Sequence, residues 1–234
     1  MEKLSNYING RLVAPSEGQY IQNVEPSSGA VYSLTPNSGV VDVDRALVAA
    51  KTAFCSWGDS SREYRAKWMM KLADAIDKYS EKLVLAESKD TGKPVWLAKK
   101  MDIPRASENF RFFATEILHF SSKTYDSDGG ALNYVLRQPV GVAGCISPWN
   151  LPLYLLTWKI APAIAAGNTV VAKPSEITPY TAYLLGTICK EIKFPKGVIN
   201  IVHGCGEVTG DAIVKGCDIV SFTGGTETGR KVAL

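Results

Sequence analysis

The chain has 234 residues, 46% of them hydrophobic and 21% charged, which is the composition of a folded globular protein and not of a disordered or fibrous one. Lysine and arginine total 26 against 23 aspartates and glutamates, so a net charge of +3 provides no basic field for nucleic acid. The five cysteines (Cys55, Cys145, Cys189, Cys205 and Cys217) form no CxxC pair, and two histidines complete no zinc site at recognised spacing; reduced thiols in a cytoplasmic protein without a metal are expected.

The opening MEKLSNYING has no apolar core of the kind a secretory signal needs. Residues 4–35 read as extended, with Asn9-Gly10 as a hairpin turn inside Asn6–Val13 and a second turn at Glu25–Gly29. From Asp42 the period changes, and Val43, Leu47, Ala50 and Phe54 fall on one helical face. Ser60 with Glu63 reads as a capping box for a helix whose apolar face is Met69, Leu72, Ala73 and Ile76. Gly92 and Pro94 end the next helix, and a long helix is predicted over Val95–Phe120, kinked or restarted at Pro104. Tyr125–Gly130 is a polar turn cluster, and Asn133–Pro139 reads as a strand.

After Val140 short apolar runs alternate with helical segments. Strands are predicted at 142–146, 169–172, 198–202 and 219–222, and helices at 153–166, 178–192, 207–215 and from 226 onward. Such alternation means βαβ units and an α/β fold with a Rossmann-like open parallel sheet. The most apolar stretch, Leu151–Ala172, is broken by Pro152, Lys159, Pro162 and Gly167-Asn168. A bilayer span needs about 20 uninterrupted apolar residues, so this stretch is predicted to be a buried helix and strand, with no membrane partner.

Four segments at strand ends carry chemistry. Gly204–Gly210 opens a helix after a strand, but its GxGxxxG spacing is one residue longer than a dinucleotide fingerprint, and a plain glycine turn explains it equally well. Phe222-Thr223-Gly224-Gly225-Thr226-Glu227-Thr228-Gly229 also opens a helix, where free N–H groups and the positive dipole end suit a pyrophosphate; a tight strand–helix turn is the alternative. Lys173-Pro174-Ser175-Glu176 puts a cation and a carboxylate at a strand's carboxyl end, where open α/β sheets bind ligands, with a plain surface pair as the alternative. In Ile146-Ser147-Pro148-Trp149-Asn150-Leu151-Pro152 two prolines stiffen a loop that offers an indole face and an amide able to donate to an oxyanion; an Asx turn is the plainer alternative.

Three segments, Ser147–Pro152, Gly167–Glu176 and Phe222–Gly229, resemble the aldehyde dehydrogenase superfamily in order and spacing. Pro26–Gly29 and Glu87–Pro94 extend the resemblance over the whole chain. Met101–Arg105 and Asn109–Ala114 are similar to the branch that contains the semialdehyde dehydrogenases of 2-aminomuconate. The resemblance implies NAD as cofactor, a small-molecule aldehyde as substrate and homo-oligomeric assembly. It implies that residues 1–122 and 141–234 form an NAD-binding domain and that 123–140 begin an oligomerisation hairpin. Lys173 and Glu176 would hold the adenosine ribose with Ser175 beside them, and Glu176 would repel the 2′-phosphate of NADP. Ile146, Ser147, Pro148, Trp149, Phe222, Thr223, Gly224, Gly225 and Thr228 would line the pyrophosphate and nicotinamide half, and Gly206 and Gly210 the adenine side. Asn150 would be an oxyanion donor. Arg105, Leu151 and Trp158 would face the substrate, with Arg105 either placed to pair with a substrate carboxylate or a helix-surface arginine.

The family's nucleophilic cysteine and basic glutamate lie in segments after the one at Phe222–Gly229, and neither segment occurs here. The expectation is therefore an incomplete cofactor domain without its catalytic domain, inactive alone. The alternatives are a non-catalytic nucleotide-binding or oligomerising homologue, and a small enzyme using Cys145 or Cys205.

Overall fold

The computed structural model describes residues 1–234. Five short strands come first: β1 (Glu2–Lys3), β2 (Asn6–Ile8), β3 (Arg11–Val13), β4 (Tyr20–Val24) and β5 (Val31–Pro36). The β2–β3 turn has positive φ at both central residues, 50° at Asn9 and 76° at Gly10, the backbone that a two-residue hairpin demands and that asparagine and glycine tolerate. Strands β1, β5 and β4 make a small separate sheet.

Four helical segments follow: α1 (Val40–Gly58), α2 (Arg62–Lys78), α3 (Ser80–Thr91) and α4 (Val95–Leu97). The cap of α2 is Ser61, whose Oγ accepts the Tyr64 N–H at 3.2 Å. The capping box expected at Ser60 is thus displaced by one residue, because the Ser60 hydroxyl donates to Trp57 O at 2.5 Å and closes the end of α1 instead. Gly92 ends α3 in the left-handed conformation, as expected. The predicted long helix is interrupted: α4 runs into a π-helical turn at Ala98–Asp102 before α5 (Ile103–His119). Pro104 has no N–H and its ring would press on the preceding turn. The wider turn absorbs this, and the Ile103 N–H donates to Ala98 O five residues back.

Strands β6 (Thr124–Ser127) and β7 (Ala131–Tyr134) form a two-stranded hairpin of their own. The strand expected at Asn133–Pro139 is earlier and shorter, because pairing runs out where Thr124 meets Tyr134. The remaining elements are β8 (Val142–Ile146), α6 (Pro152–Ala165), β9 (Thr169–Lys173), α7 (Tyr180–Glu191), β10 (Ile199–Ile201), a π-helical turn at Gly206–Gly210, α8 (Asp211–Gly216), β11 (Ile219–Phe222) and α9 (Thr226–Ala233). The main sheet has the order β11-β8-β9-β10-β2-β3. Its first four strands are parallel, as expected. The amino-terminal hairpin adds two antiparallel strands through Ile201 opposite Tyr7, so the sheet is mixed rather than purely parallel. All three residues of β2 are buried, which is why the hairpin covers the β10 edge.

Both faces of β8 and β9 are covered, and every residue in them is buried. Helices α1 and α8 pack on one face, through Val43, Leu47, Ala50 and Ile213. Helices α2, α5, α6 and α7 pack on the other, through Met69, Leu72, Phe110, Leu153, Leu156 and Leu185. The carbonyls left over at the end of α6 receive two buried donors: Trp57 Nε1 to Ile164 O at 3.0 Å and Arg65 Nε to Ala165 O at 2.9 Å. Asn168 Oδ1 accepts from Val140 and Gly141 N–H, and Asp218 Oδ2 accepts from Val142 N–H, so the entry to β8 is clamped. No helix is long and apolar enough to cross a membrane.

Candidate functional site

Parallel pairing puts the last residues of three strands side by side: Ile146 is in register with Lys173 on one side and with Phe222 on the other. The segments singled out in the sequence leave the sheet at that edge. They enclose a cleft of about 470 Å³ lined by Ile146, Ser147, Pro148, Trp149, Asn150, Lys173, Ser175, Glu176, Gly206, Phe222, Thr223, Gly224, Gly225 and Thr228. An adjoining cleft of about 450 Å³ shares Ile146, Lys173, Gly206, Phe222 and Thr228, and adds Gly210.

The loop after β8 is fixed by its backbone. The Ser147 N–H donates to Lys173 O, Thr178 Oγ1 donates to Trp149 O and Lys93 Nζ donates to Asn150 O, each at 3.1 Å. The side chains of Trp149 and Asn150 are thereby left exposed at the cleft. The Ser147 hydroxyl is buried without a hydrogen-bond partner, a donor waiting at the cleft wall.

Buried Lys173 donates from Nζ to Pro174 O and to Glu176 Oε2, both at 3.0 Å. Glu176 Oε1 accepts the Gly206 N–H at 3.3 Å. Burial opposes ionisation of Glu176, but Lys173 beside it and the Gly206 N–H outweigh that, and its carboxyl lies below the usual glutamate range. The π-helical turn after β10 begins where Gly204, at φ 158°, passes the chain so close to Thr209 that a Cβ would lie 2.0 Å from its hydroxyl. His203, fully buried there near Lys173, is held neutral by desolvation, its pKa lowered to about 3.

Arg105, Leu151 and Trp158 lie outside the lining of both clefts. The exposed Arg105 guanidinium sits 5.2 Å over the Tyr154 ring. Tyr154 packs edge-on to Trp158 at 5.9 Å, and Trp158 to Phe113 at 6.1 Å, so α5 and α6 present an aromatic wall with one cation on it. Leu151 is the half-buried residue that caps α6.

Sequence reasoning missed Leu155, Glu207, Asp211, Val214, Lys231 and Val232, which also line the clefts. Leu155 stands one helical turn after Leu151 and was legible from that spacing; the others carry no local signal. The use of Cys145 as a nucleophile is overturned. It lies inside β8, fully buried, and desolvation pushes its thiol up to about 12. Cys205 is partly exposed but lines neither cleft.

Residues 13–234 match the aldehyde dehydrogenase family. The chain belongs to that family. It is 52% identical over 232 residues to 2-aminomuconic semialdehyde dehydrogenase of Danio rerio, covering 98% of this chain and 47% of the relative. To 5-carboxymethyl-2-hydroxymuconate semialdehyde dehydrogenase of Escherichia coli it is 42% identical, over 99% of this chain and 50% of that one. The NAD⁺ complex of aldehyde dehydrogenase from Bacillus cereus superposes with a TM-score of 0.96 at 37% identity, over 99% of this chain and 48% of that one. The chain thus spans about half the length of the curated relatives it matches.

An aldehyde dehydrogenase implies a nicotinamide cofactor, and the residues present fit one. A lysine–glutamate pair offers a donor and an ionised acceptor for ribose hydroxyls, as the adenosine half of a dinucleotide requires. The unpartnered Ser147 hydroxyl and the glycines at 224 and 225 suit a close-lying phosphate.

Proposed function

We propose that this aldehyde dehydrogenase chain is the NAD-binding portion of an enzyme that oxidises a carboxylate-bearing semialdehyde to the acid. The observation that carries the reading is the single cleft joining the Lys173–Glu176 pair to the exposed Asn150 amide. Lys173, Ser175 and Glu176 hold the ribose of the adenosine half, with Gly206 and Gly210 beside the adenine. Ile146, Ser147, Pro148, Trp149, Phe222, Thr223, Gly224, Gly225 and Thr228 line the path of the pyrophosphate and nicotinamide. When bound, NAD supplies the hydride acceptor. Asn150 donates its NH₂ to the negative charge that develops on the aldehyde oxygen. Arg105 on the aromatic wall, with Leu151 and Trp158, receives the substrate, its guanidinium facing the carboxylate. The semialdehyde names of the relatives support that substrate class.

Residues 1–122 and 141–234 form the cofactor-binding unit in this reading, and the β6–β7 hairpin within 123–140 serves assembly into homo-oligomers. The five free cysteines suit a reducing, cytoplasmic setting. No cysteine lines the cleft, so the 234 residues alone are expected to form no NADH with any semialdehyde. The same observation favours a second reading, a homologue that binds nucleotide or assembles without catalysis.

Calorimetric titration tests the cofactor assignment. The ionised Glu176 is expected to make NADP bind at least about tenfold more weakly than NAD, a difference of about 1.4 kcal/mol. Glu176→Gln is expected to narrow that gap. NADP binding as tight as NAD to the unaltered chain would remove the assignment.

A further inference from the structure

A buried charge cluster outside the cleft reaches into it at one point. Lys93, in the turn between α3 and α4, donates from Nζ to Asp102 Oδ2 at 2.5 Å and to the Asn150 carbonyl at 3.1 Å. Its Nζ lies 3.8 Å from Glu87 Oε1. The three side chains are 14%, 1% and 0% exposed, so this is not a surface ion pair. Asp102 belongs to the π-helical turn before Pro104, and Glu87 to the inner face of α3. Both Glu87 oxygens lack a hydrogen-bond partner. Burial, against the opposing pull of Lys93, pushes the Glu87 carboxyl up to about 8. Burial thus favours the protonated form of Glu87, and Asp102 is the carboxylate that meets the Lys93 ammonium.

We propose that Lys93, held by Asp102, is a positioning residue for the oxyanion donor Asn150. This rests on the dehydrogenase reading above. An oxyanion donor is effective only if its place is set before charge develops, and an exposed amide on a loop has no packing of its own to set it. The backbone of the loop is held instead. Thr178 takes the Trp149 carbonyl, Lys93 takes the Asn150 carbonyl, and the Leu155 N–H takes the Leu151 carbonyl at 3.0 Å. Two of these three successive carbonyls are thus tied to distant segments, and the third opens α6. Lys93 is the charged tie, and the carbonyl it takes is that of Asn150 itself. The π-helical turn has a purpose in this arrangement: it carries Asp102 inward while Lys99 and Lys100 stay exposed.

Nuclear magnetic relaxation on the 234-residue chain tests the hold without turnover. The amides of Trp149, Asn150 and Leu151 are expected to show order parameters near the rigid value of about 0.85, falling below about 0.6 when the tie is lost. Lys93→Met leaves Asp102 buried and unpaired, so the informative variant is Lys93→Met with Asp102→Asn, which removes both charges together. Lys93→Arg, which keeps the charge and the donors, is expected to retain the order. In the dehydrogenase completed with the family's nucleophile and base, the paired variant is expected to lower kcat about 10- to 100-fold, with KM for NAD changed less than about threefold. Three amides that stay rigid in the paired variant would overturn the proposal. So would a loss of order spread evenly through α3 and α5, or an unchanged kcat. A wild-type enzyme that oxidises no aldehyde would defeat the proposed reaction, while the order parameters would still decide whether Lys93 holds the loop.

Discussion

Asn150 and Arg105 are both exposed, and their surroundings give them different expected effects. Asn150 is held through its backbone, and its amide is free to meet charge that exists only in the transition state. In the completed dehydrogenase Asn150→Ala is therefore expected to lower kcat by about 10²–10³ with little change in NAD affinity. A large loss of NAD affinity with kcat intact would make Asn150 a cofactor-loop residue instead. The Arg105 guanidinium lies over the Tyr154 ring, which pre-orients it without occupying its donors. Arg105→Ala is expected to raise KM about tenfold for a carboxylate-bearing semialdehyde, the low end for a hydrogen bond to a charged group at an exposed site, and to leave a neutral aldehyde nearly unaffected. Equal changes for the two substrates would mean that Arg105 does no more than cover the aromatic wall.

Helix α3 is built around buried acids, which is unusual for an element packed on a sheet domain. Asp90 accepts from Asn23 Nδ2 at 2.9 Å and from the Tyr180 N–H at 2.7 Å, while burial still pushes its carboxyl up to about 6. Glu87 has no such donors and is pushed from 4.5 to about 8. A carboxyl with a raised folded-state pKa keeps its proton longer when folded than when unfolded. The folded state therefore binds more protons between 4.5 and about 8, and stability falls as pH rises through that window. Glu87→Gln is expected to remove most of this slope, leaving the part below about 6 that belongs to Asp90. Melting temperatures measured from about pH 5 to about pH 8 check it, and parallel curves for the two proteins would contradict the assignment.

The whole molecule leaves large apolar side chains open on several sides. Leu132, Tyr134 and Leu136 on and after the β6–β7 hairpin are 70%, 67% and 68% exposed. Trp149 is exposed at the cleft, Phe112 on α5 and Trp158 on α6, and β11 is an outer strand paired only to β8. Exposed strand edges and contiguous apolar surface both favour association, and a net charge of +3 opposes it weakly. The chain is expected to elute above monomer size in size-exclusion chromatography at low micromolar concentration, with or without NAD. A clean monomer peak would show that these surfaces are tolerated in isolation.

Local chemistry carries much of this protein. The strand at 142–146 falls where its apolar run places it, because a buried parallel strand needs side chains that suit both covered faces, and the strand at 219–222 falls as expected on the outer edge beside it. The residues of the main cleft, from Ile146 to Thr228, were legible because each segment follows a strand, and parallel strands deliver all their carboxyl ends to one edge. What the local pattern could not contain is proximity between segments of different elements. Nothing near Asn6–Val13 says that its hairpin joins the main sheet beside β10; that follows from the burial of all of β2. The shift of the α2 cap from Ser60 to Ser61 depends on the end of the preceding helix. The tie between Lys93 and Asn150 spans 57 residues, and the raised pKa of Glu87 depends on helices packed around it. Periodicity and turn chemistry act over a few residues and are written in the sequence; desolvation and long-range hydrogen bonds exist only once the chain has closed on itself.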